Sequence, residues 1–136
     1  MNKKLKITLD TSCFFCYIQD EEGSNLFEDI LNQAKASKIE LYISRVNYCE
    51  ILYQIKRLDK NGYKKIKEIL DNLPISIVDT NQEICEFAST VKSKGKISLG
   101  DSFAIGTSQF LGGSVATTDR HEFSKWESQV EILWLR

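Results

Sequence analysis

The chain has 136 residues, 42% of them hydrophobic and 27% charged, with a formal net charge of -1. That length suits one domain and excludes two ordinary ones, and the composition is that of a globular protein rather than a disordered one. The near-zero charge excludes a uniformly basic, nucleic-acid-coating surface, and no apolar run approaches the ~20 residues needed to span a bilayer. The opening Met1-Asn-Lys-Lys-Leu-Lys6 is charged but lacks a following apolar core. No signal peptide is therefore expected, and the cytoplasm is the expected compartment.

In chain order, Leu5-Lys-Ile-Thr-Leu-Asp10 alternates and reads as a strand ending on a carboxylate. Thr11-Ser12 can open a helix reaching Tyr17 or Ile18. After the polar break Asp20-Glu-Glu-Gly23, Ser24 is expected to cap a helix with Leu26, Phe27, Ile30, Leu31 and Ala34 at helical spacing. Ile39 to Ile43 forms a second strand, and Ser44 is an N-cap for a long helix carrying Val46, Cys49, Ile51, Leu52 and Ile55. Asn61-Gly62 marks a join before another amphipathic helix with Tyr63, Ile66, Ile69 and Leu70. Pro74 precedes a third strand, Ile75 to Val78.

Thr80 to Glu83 has capping-box spacing before a helix with Ile84, Phe87, Ala88 and Val91 inside. Ser98-Leu-Gly-Asp101 opens a similar helix, which Gly112-Gly113 stops near Leu111. Ser114 to Thr118 is a fourth strand, followed by Asp119, and Val130 to Leu135 closes the chain as a fifth. Strands separated by helices predict a three-layer α/β/α domain, residues 1–136, around a mainly parallel five-stranded sheet.

Four cysteines are present. Cys13-Phe-Phe-Cys16 matches C-x-x-C in form, but Cys49, Cys85 and the lone His121 are too scattered to complete a zinc site. Structural thiols are expected. Two basic clusters stand out, Arg57 to Lys67 and the trio Lys92, Lys94 and Lys96 around Gly95. Each reads either as a solvated face or as a track for a phosphate backbone.

The chemistry lies in the acids. Asp10 and Asp119 follow strand ends, where open α/β sheets bind their ligands, although aspartate also caps helices there. Glu50 sits in the apolar stretch Val46-Asn-Tyr-Cys-Glu-Ile-Leu-Tyr53, where a half-buried carboxylate is costly without a partner. Asp101 opens a helix whose start also carries Phe103, Ala104 and Ile105. If the four acids share one pocket, any two ~6 Å apart repel by roughly 3 kcal/mol at an effective dielectric near 20. A cation should relieve that repulsion, and an all-oxygen donor set suits Mg2+ or Mn2+, which can activate water for in-line attack on a phosphodiester.

In order and surroundings these segments resemble the PIN domain, particularly the VapC-type toxin nucleases of VapBC toxin-antitoxin pairs. Leu9-Asp10-Thr-Ser12 resembles the first motif and Ser44 to Leu52, around Glu50, the second. Gly100-Asp101-Ser-Phe-Ala-Ile-Gly-Thr-Ser108 resembles the third, and Val115 to Phe123, with Thr117-Thr-Asp119, the fourth. The resemblance covers residues 5 to about 135. It implies a metal-dependent endoribonuclease whose Asp10, Glu50, Asp101 and Asp119 are catalytic and hold Mg2+ or Mn2+, with Ser12 and Thr117 as supporting hydroxyls. It also implies an RNA substrate, a homodimer and a cognate VapB-like antitoxin. His121 matches no catalytic role of the family.

Other readings are a PIN fold without catalysis serving as a binding module, or a nuclease that processes RNA without being a toxin. A haloacid-dehalogenase-type phosphatase needs an acid two residues after its first Asp, where Ser12 stands. A receiver domain lacks its acidic pair here.

Overall fold

The computed structural model describes residues 3–136; Met1 and Asn2, the start of the charged opening segment, lie outside the described residues. Five strands, β1 (Leu5–Leu9), β2 (Ile39–Ser44), β3 (Ser76–Val78), β4 (Ser114–Thr117) and β5 (Ile132–Trp134), form one sheet in the order β3-β2-β1-β4-β5. All four pairings are parallel. The helices are α1 (Thr11–Ile18), α2 (Ser24–Lys35), α3 (Arg45–Leu58), α4 (Tyr63–Asp71), α5 (Gln82–Ser93), α6 (Leu99–Leu111) and a single turn, α7 (Arg120–Phe123). The α/β/α class read from the sequence is the class observed, with the sheet wholly parallel.

Strand alternation sorts the core into layers. Ile7, Leu9, Ile39, Leu41, Ala116 and Leu135 pack with Cys13 of α1 and Phe27, Ile30 and Leu31 of α2. Val115, with Ile132 and Trp134, instead joins Val91 of α5, Ala104 and Ile105 of α6, and Phe123. A third cluster, Ile43 with Ile51, Ile55 and Leu70, covers the β2–β3 edge beneath α3 and α4. Both sheet faces are thus covered, as an all-parallel sheet requires.

Several element ends differ from the sequence reading. Ser24 is the first residue of α2 rather than its cap, and Gly23 stands at the N-cap with φ 102°. Ser24 instead donates its hydroxyl to Asp20 Oδ1, 3.1 Å away. At α5 the cap is Asn81, whose side chain accepts from Ile84 N at 2.8 Å, and not Thr80. The short helix α7 and the 3-10 turn Ser124–Trp126 were not anticipated. Ser44 and Ser98 cap α3 and α6 as read, accepting from the amides of Asn47 and Asp101.

Cys13 and Cys16 are buried, Cys49 and Cys85 exposed, and all four are free thiols. No helix among the described residues is long and apolar enough to cross a membrane.

Candidate active site

Parallel strands aim all their C-terminal ends at one edge, and the sheet register decides which residues meet there. Leu9 pairs with Ala116 and with Ile43, so Asp10 emerges between the start of α3 and the end of β4. Asp10, Glu50, Asp101 and Asp119 all line one open cleft at this edge, with a volume of about 360 Å³.

Asp10 forms its floor and is 2% exposed. Its Oδ1 accepts from Ser12 Oγ at 2.6 Å and from Cys13 N at 3.3 Å, with Cys13 Sγ 3.4 Å away. Its Oδ2 accepts from Thr117 Oγ1 at 2.6 Å. The two hydroxyls also tie down β4, because Ser12 Oγ accepts from Thr118 N at 3.1 Å and Thr117 Oγ1 from Asp119 N at 2.9 Å. Burial pushes the Asp10 carboxyl above the usual carboxylate range, and these hydrogen bonds pull it partly back.

Glu50 is half-buried on α3, with Oε1 accepting from Thr11 Oγ1 at 2.8 Å and from Asn47 Nδ2 at 3.0 Å. Asn47 is fully buried, and its amide also donates to the Gly100 carbonyl at 3.1 Å. One side chain therefore joins α3 to the start of α6. The approach is so close that a Cβ on Gly100 would lie 2.3 Å from both carboxylate oxygens of Glu50. Gly100→Ala is expected to displace the Glu50 carboxylate, lowering activity by roughly 10–100-fold, the scale seen when supports of a metal ligand are removed. Thermal unfolding should change little, because the displaced group is the end of a flexible side chain at an open cleft. Equal losses of activity and folded population would contradict this.

Asp101 stands in the first turn of α6, where its amide donates to Ser98. Its carboxyl is pushed up to about 7, first by burial and next by the charge of Asp10. Asp119 and Glu50 add smaller pushes, and the Ser98 hydroxyl relieves part of the rise. The charges of Asp10, Asp119 and Glu50 thus all reach Asp101. Asp119 caps α7 through Glu122 N at 3.1 Å.

Among the described residues, no three His, Cys, Asp or Glu side chains are gathered tightly enough to wrap one ion on their own. The donor chemistry still fits a hard divalent cation. Mg2+ keeps several waters and needs only one or two carboxylates, taking phosphate oxygens for the rest. Two carboxyls held above their usual range, Asp10 by burial and Asp101 by burial and its acidic neighbours, are also what an acidic cleft shows before a cation offsets its charge.

The lysine trio lies elsewhere: none of Lys92, Lys94 and Lys96 lines the cleft. They ring the turn before α6, where Lys92 Nζ donates to the Ile97 carbonyl at 2.6 Å and Lys94 Nζ to Gln129 Oε1 at 3.3 Å. Lys125 reaches the Lys96 carbonyl from the far side. His121 is exposed and also outside the cleft. Thr11, Asn47, Gly100 and Arg136 carry no functional assignment from the sequence. Asn47 had a signal, a polar residue three positions before Glu50 and so on the same helix face.

The family model of the PIN domain matches residues 7–127. The chain belongs to the PIN domain family. Among solved structures, a chain of DNA-bound VapBC from Salmonella typhimurium matches this PIN domain with a TM-score of 0.76 at 16% identity, covering 97% of this chain and 99% of that one. A chain of VapBC2 from Rickettsia felis, bound to a DNA fragment from their promoter, gives 0.77 at 13% identity, covering 95% and 98%. VapC20 of Mycobacterium tuberculosis, a sarcin-ricin loop cleaving toxin, gives 0.65 at 12%, covering 88% and 94%. At such identities the likeness shows that this PIN domain shares their fold. No curated protein matches it in sequence.

Proposed function

We propose that this PIN domain is a Mg2+- or Mn2+-dependent endoribonuclease and the toxin of a VapBC-type pair. The observation that carries the reading is the convergence of Asp10, Glu50, Asp101 and Asp119, from four separate elements, on one cleft. Oxygen donors without cysteine or histidine suit Mg2+ or Mn2+, and the cleft is open enough for a polymer to lie across it. When bound, the ion supplies the positive charge that activates water for in-line attack and stabilises the leaving oxygen.

The chain's own groups divide the remaining work. Asp10 is locked by Ser12, Cys13 and Thr117, which leaves it a fixed anchor for positive charge. Glu50 is aimed by Thr11 and Asn47. Asp101 and Asp119, with fewer hydrogen bonds from side chains, face the incoming strand and can adjust to it. Lys92, Lys94 and Lys96, joined by Lys125, offer positive charge along the turn that precedes α6, a path for the RNA backbone beyond the cleft.

Likeness to the toxin-antitoxin complexes supports a cognate VapB-like antitoxin as partner, and the proposal adds a second copy of the chain and action in the cytoplasm. The test is induced expression in a bacterial host. Growth arrest with loss of particular RNA species is expected from the wild type and not from Asp101→Asn. Normal growth with intact RNA at high expression of folded protein would count against the toxin reading.

A further inference from the structure

Arg136 is the one Lys, Arg or His among the described residues that line the acidic cleft. Its place follows from the register. Thr117 pairs with Trp134, so two residues further on each strand Asp119 and Arg136 leave the sheet side by side. The backbone is latched there. Arg120 Nε donates to the Arg136 carbonyl at 2.8 Å, and the Arg120 guanidinium lies 4.6 Å above the Trp134 ring.

The Arg136 guanidinium is held by one corner only. Nη1 donates to the Glu22 carbonyl at 3.2 Å and approaches Glu21 Oε1 at 3.5 Å. Among the described residues, Nε and Nη2 have no hydrogen-bond partner, and the side chain is 35% exposed. One hydrogen bond to a carbonyl and one long contact between exposed ions stabilise a fold modestly, and a purely structural role leaves the free edge of the guanidinium unexplained. A guanidinium with a free planar edge is the group best shaped for a phosphate, which it grips through two parallel N–H donors. The need is also plain. Four carboxylates repel a polyanion, and a cation held among them offsets that only for the phosphate it touches.

We propose that Arg136 binds a backbone phosphate of the RNA strand, next to the phosphate at the carboxylates, and so sets the strand's position in the cleft. This rests on the ribonuclease reading above. The test is steady-state cleavage of one RNA oligonucleotide in Mg2+ by the wild type, Arg136→Gln and Arg136→Lys over a range of salt. Arg136→Gln should raise KM about tenfold with kcat unchanged, and lower the slope of log KM against log salt by about 0.7, the value of one single-strand phosphate. Arg136→Lys should restore the slope but only part of the KM, because it keeps the charge and loses the fork.

A lowered melting temperature with KM and its salt slope unaltered would make Arg136 structural and overturn the proposal. Wild-type cleavage matched by Arg136→Gln at every salt would overturn it while leaving the ribonuclease reading intact. A wild type that cleaves no RNA would remove both.

Discussion

Asp101→Asn is expected to move activity and stability in opposite directions. Cleavage should fall by more than the roughly 10–100-fold that follows loss of a residue merely supporting a metal ligand. The metal-free protein should nevertheless melt at a higher temperature, because a carboxylate penalised first by burial and next by the charge of Asp10 is gone. The pH dependence follows from the same shift. The carboxyl rises from 3.8 to about 7 on folding, so between those values the folded state binds the extra proton. Stability of the metal-free wild type must then fall as pH rises from about 4 to 7 and level off above that. Asp10, raised by burial, acts in the same direction. Asp71 and Asp79, both held below the usual range by Lys67 and Arg45, contribute only below this window. Melting curves in EDTA at pH 5 and pH 8 check this: the wild type should be less stable at pH 8, and Asp101→Asn should show a smaller difference. Equal sensitivity in both proteins would refute the assignment.

Asn47→Ala carries the largest expected cost to folding. The side chain is fully buried, and its amide serves Glu50, Gly100 and, at 3.3 Å, Thr11, while its oxygen meets the Ser44 hydroxyl. Removing it leaves the buried Ser44 hydroxyl without its acceptor, takes a second donor from the Gly100 carbonyl, and leaves a void at the α3–α6 crossing. An unsatisfied buried group costs about 1–3 kcal/mol, and the other lost bonds bring the total to roughly 3 kcal/mol. For a domain of this length that is a fall in melting temperature of roughly 10 °C. Cleavage should drop as well, because Glu50 loses one of its two hydrogen-bond donors. Thermal unfolding together with activity measured well below the transition separates the two effects. A variant as stable as the wild type would show that Asn47 does not bind the layers together.

These two residues show what the sequence makes legible. Asp101 could be picked out because it opens a helix whose next residues are apolar, and Glu50 because an acid in an apolar helix demands a partner. Asp10 and Asp119 follow strand ends, so the topology alone aims them at the same edge. Asn47 carried only a spacing signal, since its role depends on α6 crossing α3 within hydrogen-bonding distance. Gly100 is silent in sequence for the same reason: its missing side chain matters only because Glu50 occupies the space. Arg136 could not be placed at all without knowing that β5 pairs with β4 in one particular register.

The element ends tell the same story on a smaller scale. Ser98 and Ser44 were readable as caps because each precedes a clean helical pattern. Gly23 displaced Ser24 because the chain turns there in the left-handed region, which glycine enters freely. Asn81 displaced Thr80 one residue later, being the stronger cap of the two. The turn α7 is four residues long, too short for any periodicity to announce it.

The measurement that tests the central claim most directly is RNA cleavage by purified protein. It is run with Mg2+ or Mn2+, with EDTA, and with Asp101→Asn purified in parallel. The account predicts cleavage that requires the ion and disappears in the mutant. Cleavage that persists in EDTA, or that Asp101→Asn performs as well as the wild type, would contradict a cation-dependent centre built on these four carboxylates.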